Sequence, residues 1–536
     1  MDPHDVAREH VARLIADLSR PEAYPFPVDE VTLEETHISL AFLAGDFVYK
    51  VKKPVDFGFL DFSTLERRKF FCQEEVRLNR RLTSNVYLDV VPVLEVGNRL
   101  SFTGEGDVVD YAVVMRRLPE ACMLRRLVDN DEVEEQVFEW LSERLARFYA
   151  EARTGAGVDE WGTVEAVWRN IEENIEQTRK YVGTVAAPIE LQLIAEVSRD
   201  FLDNNAALIA ARVAAGKVRE AHGDLHLAHI FVEGTGPEGL QIIDGVEFNP
   251  RLGCMDIAAD IAFLAMDLTY HGRPDLAERA VSLLAERLDD PELPRLAQFF
   301  AVYRAHVRAK VACFRLDELA PELPEYFAVR TEAERYFDLA TSFIAEPARP
   351  TLFVVGGLSG TGKSVISRRL ARALGLGLVS SDAVRLELAG RTPGSKEPAE
   401  FGAGIYSTEF TERTYLMLLD RGAEHLQQGN SVVLDATFLN PTWRRAALEL
   451  AERLARDFVF IECQCSPAVV RERLAHRARE LLEPSEADWA VYQRQRERYG
   501  PAIASDEQPG IVVDTDRPSA LVLEDILRQL DLARRL

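Results

Sequence analysis

Residues 357–364, Gly-Leu-Ser-Gly-Thr-Gly-Lys-Ser, constrain this chain more than any other stretch. They fit G-x-x-x-x-G-K-[ST], the pattern of a phosphate-binding loop. The apolar segment 351–355 precedes them, and 365–374 follows with helical spacing of its apolar residues. That strand–loop–helix context is what the pattern requires. Gly357, Gly360 and Gly362 let backbone N–H groups curl around phosphates, with Ser359 and Thr361 between them, and a helix N-terminus adds a positive field. Lys363 is placed to reach the β- and γ-phosphates of a nucleotide such as ATP, and Ser364 to ligate Mg²⁺.

With 536 residues the chain is long enough for two to four domains. No apolar run reaches membrane-spanning length, and the N-terminus reads as an acid-containing amphipathic helix and not a secretory signal. Six scattered cysteines fit a reducing compartment, so a cytoplasmic location is expected. The net charge of −25 opposes non-specific binding to nucleic acid or anionic lipid. The segment 345–350, with two prolines and no apolar period, reads as a linker. It divides the chain into 1–345 and 346–536, which are expected to be separable.

Beyond the linker, strand and helix patterns alternate, which predicts a doubly wound parallel α/β sheet. The segment 376–381 reads as its second strand, followed by Asp382 and Arg385. A carboxylate at a strand's carboxyl end points into the ligand crevice, so Asp382 is a candidate base, with Arg385 orienting it or holding an anionic acceptor. An N-terminal aspartate paired with an arginine one turn on is the plainer alternative. Asp435 ends another apolar strand, 429–437, and reads as the acidic partner of the loop near Mg²⁺. The helix from 468 carries Arg471, Arg473, Arg477 and Arg479. Arg473 and Arg477 share a face and are candidates to cover the nucleotide.

Before the linker, 36–43 and 47–52 flank the turn Ala44–Asp46 and predict a hairpin. Lys50 and Lys52 fall on one face of its second strand. Ser63 and Glu66 form a capping box, so a helix is expected from about 64 to 82, carrying Glu74 and Glu75. A strand follows at 111–115, with helices at about 131–152, 163–182 and 188–215. Next come His222-Gly-Asp224-Leu-His226-Leu-Ala-His229 and, past a turn, Asp244 and Glu247. Asp256 and Asp260 lie one helical turn apart and read as anchors of this loop.

The order strand lysine, helix glutamate, His-Gly-Asp-x-His loop and hairpin aspartate resembles the aminoglycoside-phosphotransferase-like kinases over about residues 30–340. That resemblance implies an α+β, protein-kinase-like bilobal domain at 1–345. It implies that Lys50 and Glu75 hold nucleotide phosphates, that Asp224 is the catalytic base, and that Asp244 is a Mg²⁺ ligand. His229 stands where that family has a metal-binding asparagine. Residues 351–536 resemble the P-loop kinases that include gluconate kinase, zeta toxins, chloramphenicol phosphotransferase and the 5′-kinase of polynucleotide kinases. The whole chain resembles bacterial two-domain proteins often labelled aminoglycoside phosphotransferase/AAA ATPase. These resemblances imply an ATP- and Mg²⁺-dependent phosphotransferase that acts on a hydroxyl of a small molecule. A polynucleotide 5′-hydroxyl kinase and a regulatory NTP-binding protein with an inactive kinase-like half are the alternatives.

Overall fold

Ala112 and Val114 enter one apolar cluster, while Val113 and Met115, between and after them, enter another. Side chains alternate across a strand, so this central strand must be covered on both faces. The computed structural model, which describes residues 3–58, 60–391, 407–477, 489–498 and 510–536, provides that cover. Packing divides the chain into one unit of Met1–Arg169 with Leu202–Ala301 and a second of Asn170–Phe201 with Val302–Leu536.

In the first unit, β1 (Val31–Glu35), β2 (Ser39–Ala44), β3 (Phe47–Lys52), β4 (Tyr87–Val96), β5 (Arg99–Ser101) and β6 (Asp107–Arg116) form a six-stranded sheet in the order β1-β2-β3-β6-β4-β5. All its pairings are antiparallel. The β2–β3 hairpin closes through Gly45 and Asp46, with Ala44 opposite Phe47, and Gly45 has φ +58°. Leu14 and Leu18 of the Pro3–Leu18 helix pack on one face together with Tyr49 and Val51. Cys72 and Val76 of the Leu65–Asn79 helix pack on the other. Thr64, and not Ser63 of the expected capping box, caps that helix, its hydroxyl accepting from Arg67 N at 3.3 Å, because Ser63 Oγ donates instead to Asp61 Oδ1 at 2.6 Å.

Further along, β7 (Val218–Glu220) pairs with β10 (Cys254–Asp256), and between them β8 (Ile230–Val232) pairs with β9 (Leu240–Ile242). This nesting brings the 221–229 loop against the segment after β9: Val246 N donates to His222 O at 2.8 Å, and Ile243 N to His229 O at 2.9 Å.

The second unit holds a five-stranded, fully parallel sheet. Its strands are β12 (Thr351–Gly356), β13 (Gly377–Ser380), β14 (Val432–Asp435), β15 (Asp457–Gln464) and β16 (Gly510–Asp514), in the order β13-β14-β12-β15-β16. Every residue of β12 is buried, as expected for a central strand with both faces covered. On the face of Leu352 and Val354 the apolar cover comes from Tyr415 and Leu418 of one helix and Ala447 and Leu450 of another. The proline segment is not a bare linker: β11 (Ala345–Pro347) pairs with β17 (Leu532–Arg534). Among the described residues no helix is long and apolar enough to cross a membrane.

Packing also carries residues from before the linker into the second unit. Arg369, in the helix after the phosphate loop, is 1% exposed. Its guanidinium donates to Asp338 Oδ1 at 3.2 Å, to Val185 O at 3.2 Å, to Glu190 Oε2 at 3.4 Å and to Ser519 Oγ at 3.2 Å. Arg372 binds the other Asp338 oxygen at 2.9 Å. A fragment that starts near 348 therefore lacks Asp338 and Glu190, so a buried arginine loses its carboxylates. Breaking a buried pair in this way costs ~3–5 kcal/mol.

Burial pushes the Glu190 carboxyl up to about 8, with Arg369 pulling it down and Asp338 adding to the rise. A carboxyl with a raised folded-state value contributes stability that is complete below its ordinary value and is lost as pH rises through about 8. Wild-type stability is therefore expected to fall between the ordinary glutamate value and about pH 8, by up to ~1.4 kcal/mol per pH unit. Glu190→Gln should flatten that slope. Thermal unfolding followed across this pH range checks both.

Candidate functional site

The phosphate loop joins β12 to the Lys363–Leu374 helix at the carboxyl edge of the sheet. Val355 of β12 and Ser380 of β13 are both register partners of Asp435 in β14. Strand pairing alone thus lines up the loop, Asp435 and the start of the Ser381–Leu388 helix along one crevice. Gly357 has φ +136°, and a Cβ there would lie 2.4 Å from the Cys463 carbonyl oxygen. Gly362 (φ +83°) is the helix N-cap and offers no side chain, so the first-turn N–H groups have no side-chain cap. A helix start of this kind binds an anion.

Lys363 Nζ donates back across the loop to Leu358 O at 2.8 Å. Burial raises the Asp435 carboxyl above its ordinary value; the Lys363 charge and a hydrogen bond from Ser364 oppose this, and Asp382 adds to it. Lys363, Ser364 and Asp382 thus all lie within electrostatic reach of Asp435. Ser380 caps the Ser381–Leu388 helix, and Asp382 in its first turn accepts from Arg385 Nη1 at 3.1 Å. Tyr415 stands beside them: its hydroxyl lies 3.1 Å from Thr437 Oγ1 and accepts from Phe438 N at 3.0 Å, and its ring stacks on Trp443. Arg444 Nη1 donates to Phe438 O and Leu439 O.

On the other side, Arg473 Nη2 donates to Thr515 O at 2.6 Å, and a Cβ built on Gly362 would lie 3.1 Å from its Nη1. Arg473 is thus over the helix start, where a guanidinium would meet bound phosphate. Arg477 ends the described part of the Pro467–Arg477 helix; its side chain lies outside the described residues, as does Arg479. Thr361 and Ser359 are held from elsewhere. Thr515 Oγ1 lies 2.6 Å from Thr361 O, and Ser359 N donates to Gln495 Oε1 at 2.8 Å.

A second cluster lies in the first unit. Lys50 and Lys52, two apart on β3, both point to the face that carries the Leu65–Asn79 helix and share Glu75. Lys50 Nζ is 3.0 Å from Glu75 Oε1 and also pairs with Asp244. Lys52 Nζ is 2.7 Å from Glu75 Oε2 and also pairs with Glu247. Burial would raise the Glu75 carboxyl, yet the two lysines outweigh it and hold it below its ordinary value. Glu74 instead faces outward and pairs with Arg77.

Asp244 takes φ +66°, its N–H donating to Tyr87 Oη at 3.1 Å, and Gly245 N donates to Asn79 Oδ1 at 2.8 Å. Asp260 receives His222 N, Gly223 N and Tyr149 Oη at 2.9–3.0 Å, and Asp267 receives Leu227 N at 2.9 Å. These buried carboxylates fix the backbone of the 222–229 loop, the anchoring role expected of Asp260. Asp256 instead caps its own helix and binds Arg212. At the loop's surface Asp224, His226 and His229 gather. His226 Nε2 and His229 Nδ1 each lie 3.5 Å from Asp224 Oδ2, and His229 Nε2 lies 3.7 Å from Asp244 Oδ2. Burial first, then His226, lowers the His229 imidazole to about 4, so it is neutral at physiological pH.

Sequence reading named Lys52 and Glu247 but gave them no role, although the two-residue period of β3 and the nearness of Glu247 to Asp244 carried a usable signal. Tyr87, Asn79, Thr515, Gln495 and Tyr415 carried none, since each acts across more than twenty residues of chain.

A family model described as AAA domain matches residues 352–502. The match spans the phosphate loop and four of the parallel strands in part or whole, and this region is an α/β P-loop domain. Over 448 residues the chain is 32% identical to the uncharacterized protein Rv2004c of Mycobacterium tuberculosis (strain H37Rv), covering 84% of this chain and 86% of that protein. The same values hold for the uncharacterized protein Mb2027c of Mycobacterium bovis. Among solved structures, a gluconokinase from Sinorhizobium meliloti is similar at 22% identity, covering 33% of this chain and 90% of its own, with a TM-score of 0.25. A putative kinase from Chloroflexus aurantiacus is similar at 25% identity, covering 34% and 95%, with a TM-score of 0.27.

The two lysines differ in exposure, and this separates their expected effects. Lys52 is 1% exposed between two buried carboxylates, whereas Asp244, the second partner of Lys50, is 42% exposed. Lys52→Met is expected to cost ~3–5 kcal/mol of stability by leaving buried charge unpaired. Lys50→Met should cost no more than ~1 kcal/mol, because Glu75 keeps Lys52 and water reaches Asp244. Chemical denaturation of the two variants checks the order.

Proposed function

The chain belongs to the same family as these mycobacterial proteins, and we propose that its P-loop domain is an ATP- and Mg²⁺-dependent phosphotransferase acting on a hydroxyl of a small molecule. The observation that carries this reading is the strand register, which sets Asp435 beside Val355, just before the loop that leads to Lys363 and Ser364, and beside Ser380, two residues before Asp382. An NTPase needs Lys363, Ser364 and Asp435; a carboxylate placed for an acceptor is what a kinase adds. The loop N–H groups of Gly357, Ser359, Gly360, Thr361 and Gly362, with Lys363, would bind the β- and γ-phosphates, and Arg473 and Arg477 would cover them. Ser364 and Asp435 offer oxygen donors that suit Mg²⁺, which neutralises phosphate charge when bound.

In the proposed step the acceptor oxygen bonds to the γ-phosphorus as the bond to the β–γ bridging oxygen breaks. ADP leaves, and the acceptor proton passes to a carboxylate oxygen of Asp382. Arg385 Nη1 donates to that carboxylate at 3.1 Å and holds it in place. A small acceptor fits better than a polyanion, since the chain carries −25 charges.

We assign residues 1–345 to an aminoglycoside-phosphotransferase-like, bilobal module and 346–536 to the P-loop kinase module. Support for the first comes from the Lys50–Glu75–Asp244 chain of ion pairs and from Asp224 on a loop pinned by Asp260 and Asp267. In that reading Lys50 contacts nucleotide phosphates, Glu75 orients it, Asp224 is the base, and Asp244 with His229 holds the metal.

The test offers labelled ATP to the full chain with sugars, nucleosides, aminoglycosides and 5′-hydroxyl oligonucleotides. Label is expected on a small-molecule hydroxyl. Lys363→Ala should abolish transfer, because one charge on the phosphates in a closed site is worth several kcal/mol, roughly a factor of 10³ in rate. Asp382→Asn should cut the rate by about 10²–10⁴ and leave ATP affinity within a few-fold. Transfer to oligonucleotide alone would make it a polynucleotide kinase, and ATP hydrolysis with no acceptor would make it an NTPase.

A further inference from the structure

Asp224, His226 and His229 form the one group of three metal-capable side chains found among the described residues, each offering a ligand atom within 4.8 Å of the others. Their tautomers follow from the backbone. His229 Nδ1 lies 2.9 Å from Asp224 O, an acceptor only, so Nδ1 carries the proton and the Nε2 lone pair is turned toward Asp244. This is the arrangement in which a metal-binding imidazole donates its other N–H to a carbonyl. His226 Nδ1 accepts from Ala228 N at 3.3 Å, and its ring lies against that of His229 with centroids 3.9 Å apart and planes tilted by 34°. Two ligands about 2.1 Å from one ion at a tetrahedral to trigonal angle lie about 3.4–3.7 Å apart. The 3.7 Å between His229 Nε2 and Asp244 Oδ2 and the 3.5 Å between His226 Nε2 and Asp224 Oδ2 are of that size. Both carboxylates are about two-fifths exposed, so one side remains open for water or a phosphate oxygen.

We propose that this site, His229 with Asp244 and the neighbouring Asp224 and His226, holds a divalent transition metal of the Mn²⁺, Co²⁺ or Zn²⁺ class in preference to Mg²⁺. Magnesium requires hard oxygen ligands in a tight octahedron, and an imidazole in its shell is a poor donor to it. Imidazole with carboxylate suits the first-row transition metals. The P-loop crevice differs, because Ser364 and Asp435 present oxygen alone. The two halves would then take different metals.

The inference rests on reading Asp244 and His229 as metal-holding, and its test omits nucleotide so that it stands or falls apart from phosphotransfer. The full chain is titrated with Mn²⁺ and followed by electron paramagnetic resonance, with pulsed detection of ¹⁴N coupling to the bound ion. One Mn²⁺ is expected with imidazole ¹⁴N coupling, displaced by Mg²⁺ only at about tenfold or greater excess. His229→Asn should remove the ¹⁴N signal from this residue and bring Mg²⁺ and Mn²⁺ affinities together. Co²⁺ should give visible absorption bands in wild type that His229→Asn and Asp244→Asn each weaken. Binding without ¹⁴N coupling, equal competition by Mg²⁺ in wild type, or no bound metal at all would each overturn the proposal. If His229→Asn unfolds, the wild-type ¹⁴N spectrum and the Asp244→Asn absorption decide it alone.

Discussion

The Lys363–Leu374 helix has to satisfy two opposite demands within two turns. Its start, capped by Gly362, leaves N–H groups without a side-chain acceptor and gathers positive potential for an anion. Six residues on, Arg369 is fully buried and is tolerable there only because Asp338 and Glu190 surround it. The buried cluster fixes the helix in depth and rotation, and through it the position of Lys363 and Ser364 against Asp435. Loop geometry on one side and charge pairing on the other are therefore parts of a single constraint.

The first unit solves a similar problem with lysines. Two cations on one strand face would repel and resist burial, but Glu75 lies between them, and Asp244 and Glu247 close the two ends. One pair is sealed; at the other, water reaches the Asp244 carboxylate. The loop that bears Asp224 gains its rigidity from below, where Asp260 and Asp267 satisfy backbone N–H groups that would otherwise be buried without acceptors.

What the sequence made legible was local. The phosphate loop with its flanking strand and helix, the β2–β3 hairpin, the helix starting near 64 and the shared face of Lys50 and Lys52 all follow from spacings of four residues or fewer. A single helix expected over 188–215 is two, Pro188–Asn204 and Ala206–Ala214, because Asn205 leaves the helical conformation at a position no apolar period marks. The 345–350 segment reads as a linker from its prolines, yet it pairs with the chain's last strand. That pairing, like the partners of Arg369 and Asp244, joins residues too distant in sequence for any pattern of residue types to reveal.

The account depends on phosphate being bound by the N–H groups of residues 357–364. Amide hydrogen exchange of the full chain, with and without Mg²⁺ and ATP, measures those groups directly. The account predicts that nucleotide slows exchange across 357–364 and the first turn of the following helix, and that Lys363→Ala abolishes most of that protection. Unchanged exchange in this segment at saturating nucleotide, with protection confined to the first unit, would contradict it.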